Sequence, residues 1–317
     1  MSEWCKENDE RISITIDPSK YSHRFDLKGF IKPASKSRSA LLILNQKINI
    51  PSVFLKLWAA FKLKVCADGG ANRLYEFFHG NEAARACYLP DYIIGDFDSL
   101  KPEVEQYYRN AGVILIKQRS QFSTDFTKAL HLISIHFNDS GFTTQISQSR
   151  QENHSIEINS GIHDWFNRIF SANNQRESEK ISLLAVGAID GRFDQTMHSI
   201  TQLYKLSSSG SQFRLSYLSA TDLIFFVPSG GVLLEYSTDF REKCIGNCGL
   251  LPLNGPTEIL ETAGLKWDVG LWETSVASGK LSSSNRFAGI DKCYINVKDG
   301  IVMNVEIYID RLAEYIR

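Results

Sequence analysis

Acidic residues follow four apolar, strand-like runs of this sequence, and they indicate chemistry with a metal ion and phosphates. The four acidic loops are residues 65–72, 90–99, 123–128 and 183–194. In an open parallel sheet, loops at the carboxyl ends of the strands share one edge, and ligands bind there. Carboxylates on that edge suit Mg²⁺, a hard cation held by one or two carboxylates and by substrate phosphates. The sequence therefore predicts an enzyme that handles phosphates.

The second acidic loop carries the strongest signal. Asp96 and Asp98 flank Phe97, and in an extended or turning segment alternate side chains point the same way. The two carboxylates can therefore share a cation while Phe97 packs inward. Taken alone, the same pattern fits a solvated acidic turn equally well.

The first and third loops each have a structural explanation beside the functional one. Gly70 permits a close backbone approach to a phosphate, but it also suits a plain turn. Asp125 opens a predicted helix, so it can serve as a cap, as can Thr124. Lys128 lies about one turn later, where it can meet a phosphate or pair with Asp125.

The fourth loop places Arg192 and Asp194 on either side of Phe193 at another strand-to-helix junction. Because all four junctions are acidic and lie on the edge where ligands bind, a common site explains them better than four independent accidents. The sequence contains neither a Gly-x-x-x-x-Gly-Lys-Ser/Thr loop nor a Gly-x-Gly-x-x-Gly fingerprint. An ATP site in this protein would use a different device.

Strands and helices must alternate to position these loops. Apolar runs predict strands at residues 40–44, 64–67, 92–94, 113–116 and 181–186. Helical spacing of apolar residues predicts helices at residues 53–61, 72–78, 102–110, 125–137 and 194–206. This alternation predicts an α/β domain with a doubly wound, mostly parallel sheet.

The pattern changes in the last third of the chain. Short strand-like runs separated by Gly and Pro turns predict an all-β sandwich at residues 212–317. These runs are residues 213–218, 223–227, 231–235, 243–250, 258–262, 280–282, 292–297 and 302–309. The predicted α/β catalytic domain spans residues 37–211, and residues 1–36 are interpreted as a polar N-terminal arm or an added edge segment. Residues from about 139 to 180, rich in Ser, Gln and Asn, are interpreted as a partly flexible insertion with one short helix.

Composition excludes several classes of protein. With 317 residues, 43% hydrophobic residues and a net charge of −1, the chain reads as an ordinary globular protein without an affinity for nucleic acid. Its apolar runs are far shorter than the roughly 20 residues of a membrane span. The polar N-terminus lacks the apolar core of a signal peptide, and the six cysteines lack metal-binding spacing. These features predict a cytoplasmic protein with reduced thiols and no membrane partner.

The acidic loops resemble the motifs of the thiamine pyrophosphokinase family, and they occur in that family's order. The similar segments are residues 67–74, 95–99, 124–128 and 191–195, followed by residues 264–267 and 282–285 in the sandwich half. The resemblance covers the chain from about Leu41 onward. It points to the eukaryotic branch, and the arm and insertion point to a fungal member. Ser283 stands where the family often has threonine, so the hydroxyl is kept.

The resemblance implies transfer of a pyrophosphoryl group from ATP to the hydroxyethyl oxygen of thiamine, giving thiamine diphosphate and AMP. It also implies a homodimer in which the sandwich of one subunit completes the site of the other. The implied ligands of Mg²⁺ are Asp96, Asp98 and Asp125. The implied ATP contacts are Asp68, Gly70, Asn72, Arg73, Lys128 and Arg192. The implied thiamine contacts are Gln121, Asp194, Trp267, Ser284 and Asn285.

Two alternatives to this enzyme follow from the same residues. A sensor that binds thiamine or a nucleotide without turnover would be expected to lack one metal carboxylate, and all three are present. Another Mg²⁺-dependent phosphotransferase or phosphohydrolase on this scaffold would not need Trp267 or Asn285. The sequence does not decide whether Asp98 or Asp125 accepts the proton of the thiamine hydroxyl.

Overall fold

The computed structural model describes residues 2–121, 123–148, 161–172, 179–207 and 211–316. The strands are Trp4–Glu7 (β1), His23–Asp26 (β2), Ser39–Ile43 (β3), Leu63–Ala67 (β4), Tyr92–Gly95 (β5), Ile114–Lys117 (β6), Ile181–Val186 (β7), Phe213–Leu218 (β8), Asp222–Val227 (β9), Val232–Glu235 (β10), Ile245–Leu251 (β11), Thr257–Ala263 (β12), Trp267–Thr274 (β13), Ser282–Arg286 (β14), Lys292–Val297 (β15) and Ile301–Ile307 (β16). The helices are Pro51–Ala60 (α1), Gly70–Phe77 (α2), Glu82–Cys87 (α3), Pro102–Asn110 (α4), Asp125–Asn138 (α5), Ser140–Gln148 (α6), Gly161–Ala172 (α7), Phe193–Ser207 (α8), Thr238–Cys244 (α9) and Ile309–Tyr315 (α10).

The chain divides into two compact units. Ser35–Thr196 and Gly210–Arg214 form one of them, which we call the α/β unit. Met1–Ala34, Met197–Ser209 and Leu215–Arg317 form the other, which we call the β unit.

The α/β unit contains a parallel sheet with the strand order β7-β3-β4-β5-β6. Every residue of β3 is buried, as expected for parallel strands that helices cover on both faces. Such strands read as continuous apolar runs, which is why the sequence located all five. The predicted α/β fold with a mostly parallel sheet is confirmed.

Helix α5 begins within the third acidic loop, at Asp125. The side chain of Thr124 caps the helix by accepting a hydrogen bond from Thr127 N. Phe126, Ala129 and Ile133 form part of the buried face. Because Thr124 is the cap, the carboxylate of Asp125 is available for other contacts.

The predicted insertion contains two packed helices within its described part. Phe142 of α6 is fully buried and packs edge-on against the ring of Trp165 of α7, with 5.0 Å between ring centroids. Trp165 Nε1 donates a hydrogen bond to Asp139 at 3.0 Å. The sequence predicted one short helix here, because the polar composition concealed the apolar face of α6. The predicted flexible part falls largely on residues 149–160 and 173–178, which lie outside the described residues.

The β unit contains two sets of paired strands. One is a six-stranded sheet with the order β1-β13-β12-β15-β10-β2. In the other, β8-β9-β16-β11-β14, neighbouring strands are antiparallel. Phe25 of the first set and Phe225 of the second lie 6.5 Å apart between ring centroids. The second half is therefore β-rich, with its strands in two facing layers, and it also contains helices α9 and α10.

The N-terminal residues add edge strands to the β unit. Strand β1 pairs antiparallel with β13, and β2 pairs parallel with β10, so both are edge strands. All four residues of β1 are exposed, so the sequence offers no apolar alternation there.

Strand β13 and helices α9 and α10 were not predicted. Strand β13 begins with Trp267, Asp268, Val269 and Gly270. The charged Asp268 and the glycine at position 270 obscure the alternation of apolar and polar residues that predicts a strand. Helix α9 overlaps the start of the strand predicted at residues 243–250 and is capped by Ser237, whose side chain accepts from Phe240 N. Throughout the described ranges, no helix has the length and apolarity needed to cross a membrane.

Candidate active site

Three carboxylates from two neighbouring loops form an acidic cluster in the α/β unit. One oxygen each of Asp68, Asp96 and Asp98 lie within 4.8 Å of one another. Asp68 follows β4 and the other two follow β5, and these strands are adjacent and parallel, with Ala67 opposite Ile94. Their carboxyl ends therefore bring the carboxylates together, as the sheet geometry predicts.

Asp68 is the most deeply buried member of the acidic cluster, with 3% of its surface exposed. Its Oδ2 accepts from Ser99 N at 3.1 Å, while none of the described residues donates to its buried Oδ1. Burial, and next the charge of Asp125, raise the pKa of Asp68 from 3.8 to about 6. A buried oxygen without a donor, beside two other carboxylates, fits a cation ligand.

The backbone around the acidic cluster permits very little variation. A Cβ at Gly95 would lie 2.6 Å from Asp68 Cβ, so the close approach of the two loops requires glycine. Phe97 has a φ of 67° and is 8% exposed. Its packed ring anchors the turn that separates Asp96 from Asp98, because the positive φ must be stabilised by surrounding contacts.

Asp96 is held in its ionised form. Burial opposes the charge, but hydrogen bonds from Asp98 N at 3.1 Å and Gln121 Nε2 at 2.7 Å outweigh it. The ammonium of Lys128 adds to this effect, and the pKa of Asp96 is lowered. Gln121, predicted to lie near thiamine, is thereby fixed at the acidic cluster.

Asp125 and Lys128 form a partly buried pair beside the acidic cluster. Lys128 is 2% exposed, and its Nζ lies 2.9 Å from Asp125 Oδ1 and 4.0 Å from Asp96 Oδ2. Asp125 Oδ1 also accepts from Asp96 N at 3.3 Å. Burial raises the pKa of Asp125 despite the hydrogen bond from Lys128. Asp125, predicted as a metal ligand, thus lies beside the acidic cluster formed by Asp68, Asp96 and Asp98.

Asn72 fastens the loop that follows Asp98. Its Nδ2 donates to Ser99 O at 2.7 Å, and its Oδ1 accepts from Lys101 N at 3.0 Å. Asn72 is 5% exposed, so its amide is committed to the backbone of this loop. Asn72 thus lies against the backbone of residues 99–101, which follow Asp98.

The first turn of α2 packs against the loop that follows β3. A Cβ at Gly70 would lie 2.2 Å from Ile43 O, so this position requires glycine. Arg73 Nε donates to Asn45 Oδ1 at 3.0 Å, and Arg73 also pairs with Glu76. Asn45 was not predicted as a site residue, although a polar residue directly after a buried strand was a usable signal.

Arg192 and Asp194 lie at the same edge of the sheet but bind each other. Arg192 Nη2 lies 2.6 Å from Asp194 Oδ2, and the two side chains are 73% and 60% exposed. Among the described contacts, none joins them to the acidic cluster. The sequence assigned them to different substrates, whereas the structure pairs them.

The remaining predicted thiamine residues lie together in the β unit. Asn285 is 4% exposed, and its Oδ1 accepts from Trp267 N at 3.1 Å while its Nδ2 donates to Trp267 O at 2.9 Å. Ser284 next to it is exposed and has a φ of 58°. The Trp267 side chain is 40% exposed and borders a cavity of about 450 Å³. Trp267 therefore lies at a pocket edge, and Asn285 holds its backbone.

Comparisons with known proteins agree on one family. The family model described as "Thiamin pyrophosphokinase, catalytic domain" matches residues 54–215, and "Thiamin pyrophosphokinase, vitamin B1 binding domain" matches residues 237–302. The "Thiamine pyrophosphokinase" of Saccharomyces cerevisiae is 52% identical, with 100% of both chains covered. "Thiamine pyrophosphokinase 3" of Oryza sativa subsp. japonica is 30% identical over 81% of this chain and 82% of its own.

Solved structures give the same result. The crystal structure of yeast thiamin pyrophosphokinase has a TM-score of 0.94 at 51% identity, covering 98% of this chain and 99% of that one. Thiamin pyrophosphokinase from Candida albicans has a TM-score of 0.81 at 34% identity, covering 97% and 99%. The resemblance drawn from the acidic loops, including its fungal character, is confirmed. This chain belongs to the thiamine pyrophosphokinase family.

Proposed function

We propose that this protein transfers the pyrophosphoryl group of ATP to the hydroxyethyl oxygen of thiamine, giving thiamine diphosphate and AMP. The observation that carries the proposal is the acidic cluster at the carboxyl edge of the sheet, in a chain of this family. Incubation with thiamine, ATP and Mg²⁺ tests it, and both products are expected. Tight binding without products would favour a sensor, and phosphate release without thiamine would favour a hydrolase.

The reaction sets clear requirements for the site. The thiamine hydroxyl oxygen forms a bond to the β-phosphorus, and the bond from that phosphorus to the oxygen bridging the α- and β-phosphates breaks. AMP leaves with the bridging oxygen, and the hydroxyl proton passes to a base. Positioning and charge stabilisation supply most of the acceleration in such reactions. Asp98 and Asp125 both remain candidates for the base.

We propose that Asp68, Asp96 and Asp98 hold Mg²⁺, with Asp125 as a further candidate. The donor set consists of oxygens, and the buried Oδ1 of Asp68 has no donor among the described residues. When bound, Mg²⁺ neutralises charge on the phosphate oxygens. Asp125 Oδ1 already accepts from Lys128 and from Asp96 N, so Asp125 would ligate through its other oxygen.

The remaining residues of the proposed ATP site act through charge and backbone position. The buried ammonium of Lys128 offsets part of the negative charge of the acidic cluster and suits a phosphate oxygen. Gly70 lets α2 begin close to the sheet. In the described part of the chain, no side chain caps the N-terminus of α2, and a helix N-terminus favours a phosphate. Arg73 and Arg192 add positive charge along the same edge.

We expect Mg²⁺ binding to weaken as the pH falls through about 6, because the pKa of Asp68 is raised to about 6 and cations bind the ionised form. Without metal, the free energy of unfolding changes with pH in the opposite direction. Because the pKa of Asp68 is higher in the folded protein than in the unfolded chain, the free energy of unfolding falls as the pH rises from about 4 to 6. The thermal shift produced by Mg²⁺ should therefore increase between about pH 5 and pH 7. In Asp68→Asn this increase should be much smaller, and an equal increase in the variant would contradict the assignment.

We propose that Trp267 stacks on thiamine, whose thiazolium ring carries a permanent positive charge. A cation over an indole face gains about 0.5–2 kcal/mol, depending on desolvation. Trp267→Ala should therefore raise the KM for thiamine strongly, leave the KM for ATP nearly unchanged and lower Tm only slightly, since the side chain is 40% exposed.

The matched control for this prediction is Trp272→Ala in the same strand. It should leave the KM for thiamine near the wild-type value, and Trp267→Phe should recover part of the loss. A large fall in Tm with unchanged thiamine affinity would assign Trp267 to packing instead.

We propose that the active form is a homodimer in which the β unit of one subunit completes the site of the other. The acidic cluster and the Trp267 set lie in different compact units of the chain, which supports the arrangement that the resemblance implies. We also place the protein in the cytoplasm. All six cysteines are free thiols, which supports a reducing compartment, and imaging of a tagged protein tests the location.

A further inference from the structure

A buried carboxylate fixes the turn that leads into Trp267. Asp268 is 5% exposed and accepts four hydrogen bonds within the β unit. Its donors are Thr262 Oγ1 at 2.9 Å, Leu265 N at 3.0 Å, Gly264 N at 3.0 Å and Asn8 Nδ2 at 2.5 Å. Because a buried donor that loses its acceptor costs free energy, these four hydrogen bonds to one side chain hold the turn in place.

Asn8 brings the N-terminal segment into this turn. It is 6% exposed, and its Nδ2 donates to Leu265 O at 2.8 Å as well as to Asp268. Its backbone N donates to Lys266 O at 2.8 Å, and its backbone O accepts from Lys266 Nζ at 2.7 Å. Asn8 therefore contacts the three residues 265, 266 and 268 that surround Trp267.

The two sides of Trp267 are held by different elements. Asn285 of β14 bonds the backbone N and O of Trp267 itself. Asn8, which follows β1, bonds the residues on either side, as expected because alternate residues of a strand face opposite neighbours. The indole ring is 40% exposed, so the backbone from which it projects helps to set its direction.

We infer that Asn8 and Asp268 are positioning residues for thiamine recognition, and that they act by fixing the backbone from which Trp267 projects. This inference rests on the proposed contact between Trp267 and thiamine. Neither side chain needs to touch the substrate. Without Asn8, the turn before Trp267 is joined to the N-terminal segment by fewer bonds, and the indole ring loses its fixed direction.

Steady-state kinetics of Asn8→Ala test the inference. Because the variant removes the two hydrogen bonds that Asn8 Nδ2 donates to Asp268 and Leu265 O, we expect the KM for thiamine to rise about threefold to tenfold. The kcat and the KM for ATP should stay near wild type. Asp268→Asn, which has nearly the same shape, should shift the same constant in the same direction. A thiamine KM unchanged in both variants would overturn the inference.

Two ion pairs of the same N-terminal segment provide matched controls. Lys20 pairs with Glu261 and Arg24 pairs with Glu235, both at exposed positions. Lys20→Ala and Arg24→Ala should leave the KM for thiamine unchanged. If they raise it as much as Asn8→Ala does, the segment acts through general stability, and the inference fails.

A readout without turnover separates this inference from the proposed function. The protein has five tryptophans, so 5-fluorotryptophan labelling should give ¹⁹F resonances in which Trp267→Phe assigns the Trp267 line. Asn8→Ala should shift or broaden that line while the Trp58 line stays in place. An unmoved Trp267 line contradicts the inference, whereas a wild-type protein that makes no thiamine diphosphate contradicts the proposed function.

Discussion

Asp98→Asn should abolish turnover while the protein stays folded. Losing a preorganised electrostatic contact typically costs about 10²–10³ in rate, and losing a metal ligand costs at least as much. Asp98 is exposed, and its carboxylate accepts from the neighbouring Ser99 Oγ at 3.0 Å. Its replacement should therefore leave Tm close to that of the wild type. The measurements are kcat at saturating Mg²⁺ and the thermal unfolding curve.

Asp91→Asn is the matched control for this loss. Asp91 is an exposed aspartate just before β5, at the opposite end of the strand that leads to Asp98, and its carboxylate accepts from Lys64 N at 2.8 Å. This variant should keep kcat near the wild-type value. Near-wild-type turnover of Asp98→Asn at saturating Mg²⁺ would refute the metal site.

Activity should return when two defective subunits are mixed. In a homodimer with shared sites, Asp96→Asn damages the site that contains the acidic cluster of its own subunit. Trp267→Ala damages the other site, which contains the acidic cluster of the partner subunit. Random assortment gives half heterodimers, each with one intact site. An equal mixture should therefore reach about a quarter of wild-type activity, assayed with thiamine well below the KM of Trp267→Ala.

The double variant Asp96→Asn/Trp267→Ala, mixed with wild type, is the control for this experiment. If sites are shared, both sites of that heterodimer carry one damaged half, so the heterodimer should be inactive. If each site lies within one subunit, the heterodimer keeps one intact site and the single variants do not restore each other. That second outcome, or a fully active monomer in sedimentation, would contradict the shared site.

The parallel sheet and its order of loops could be predicted from the sequence because burial on both faces produces continuous apolar runs. The predicted bounds of β7 and α4 coincide with the observed Ile181–Val186 and Pro102–Asn110. Pro102 at the first turn and Gly112 after the last fix the ends of α4. The approximate edge of the candidate site followed from this sheet.

The finer arrangement of the site depends on contacts that no local pattern records. Asp68 joins Asp96 and Asp98 because Gly95 lets two loops approach closely. Asn72 and Asn285 both resemble ligand-binding residues in the sequence, but their amides bond to the backbone of neighbouring segments. The edge strand β1 is exposed along its length, so its pairing with β13 depends on the partner strand.

The most direct test of the account is to identify both products of a reaction with thiamine, ATP and Mg²⁺ by chromatography. We predict AMP and thiamine diphosphate in equal amounts, with no ADP and no thiamine monophosphate. With ATP labelled at the γ-phosphorus, the label should appear in thiamine diphosphate. ADP together with thiamine monophosphate, or phosphate released without thiamine, would contradict the transfer of a pyrophosphoryl group.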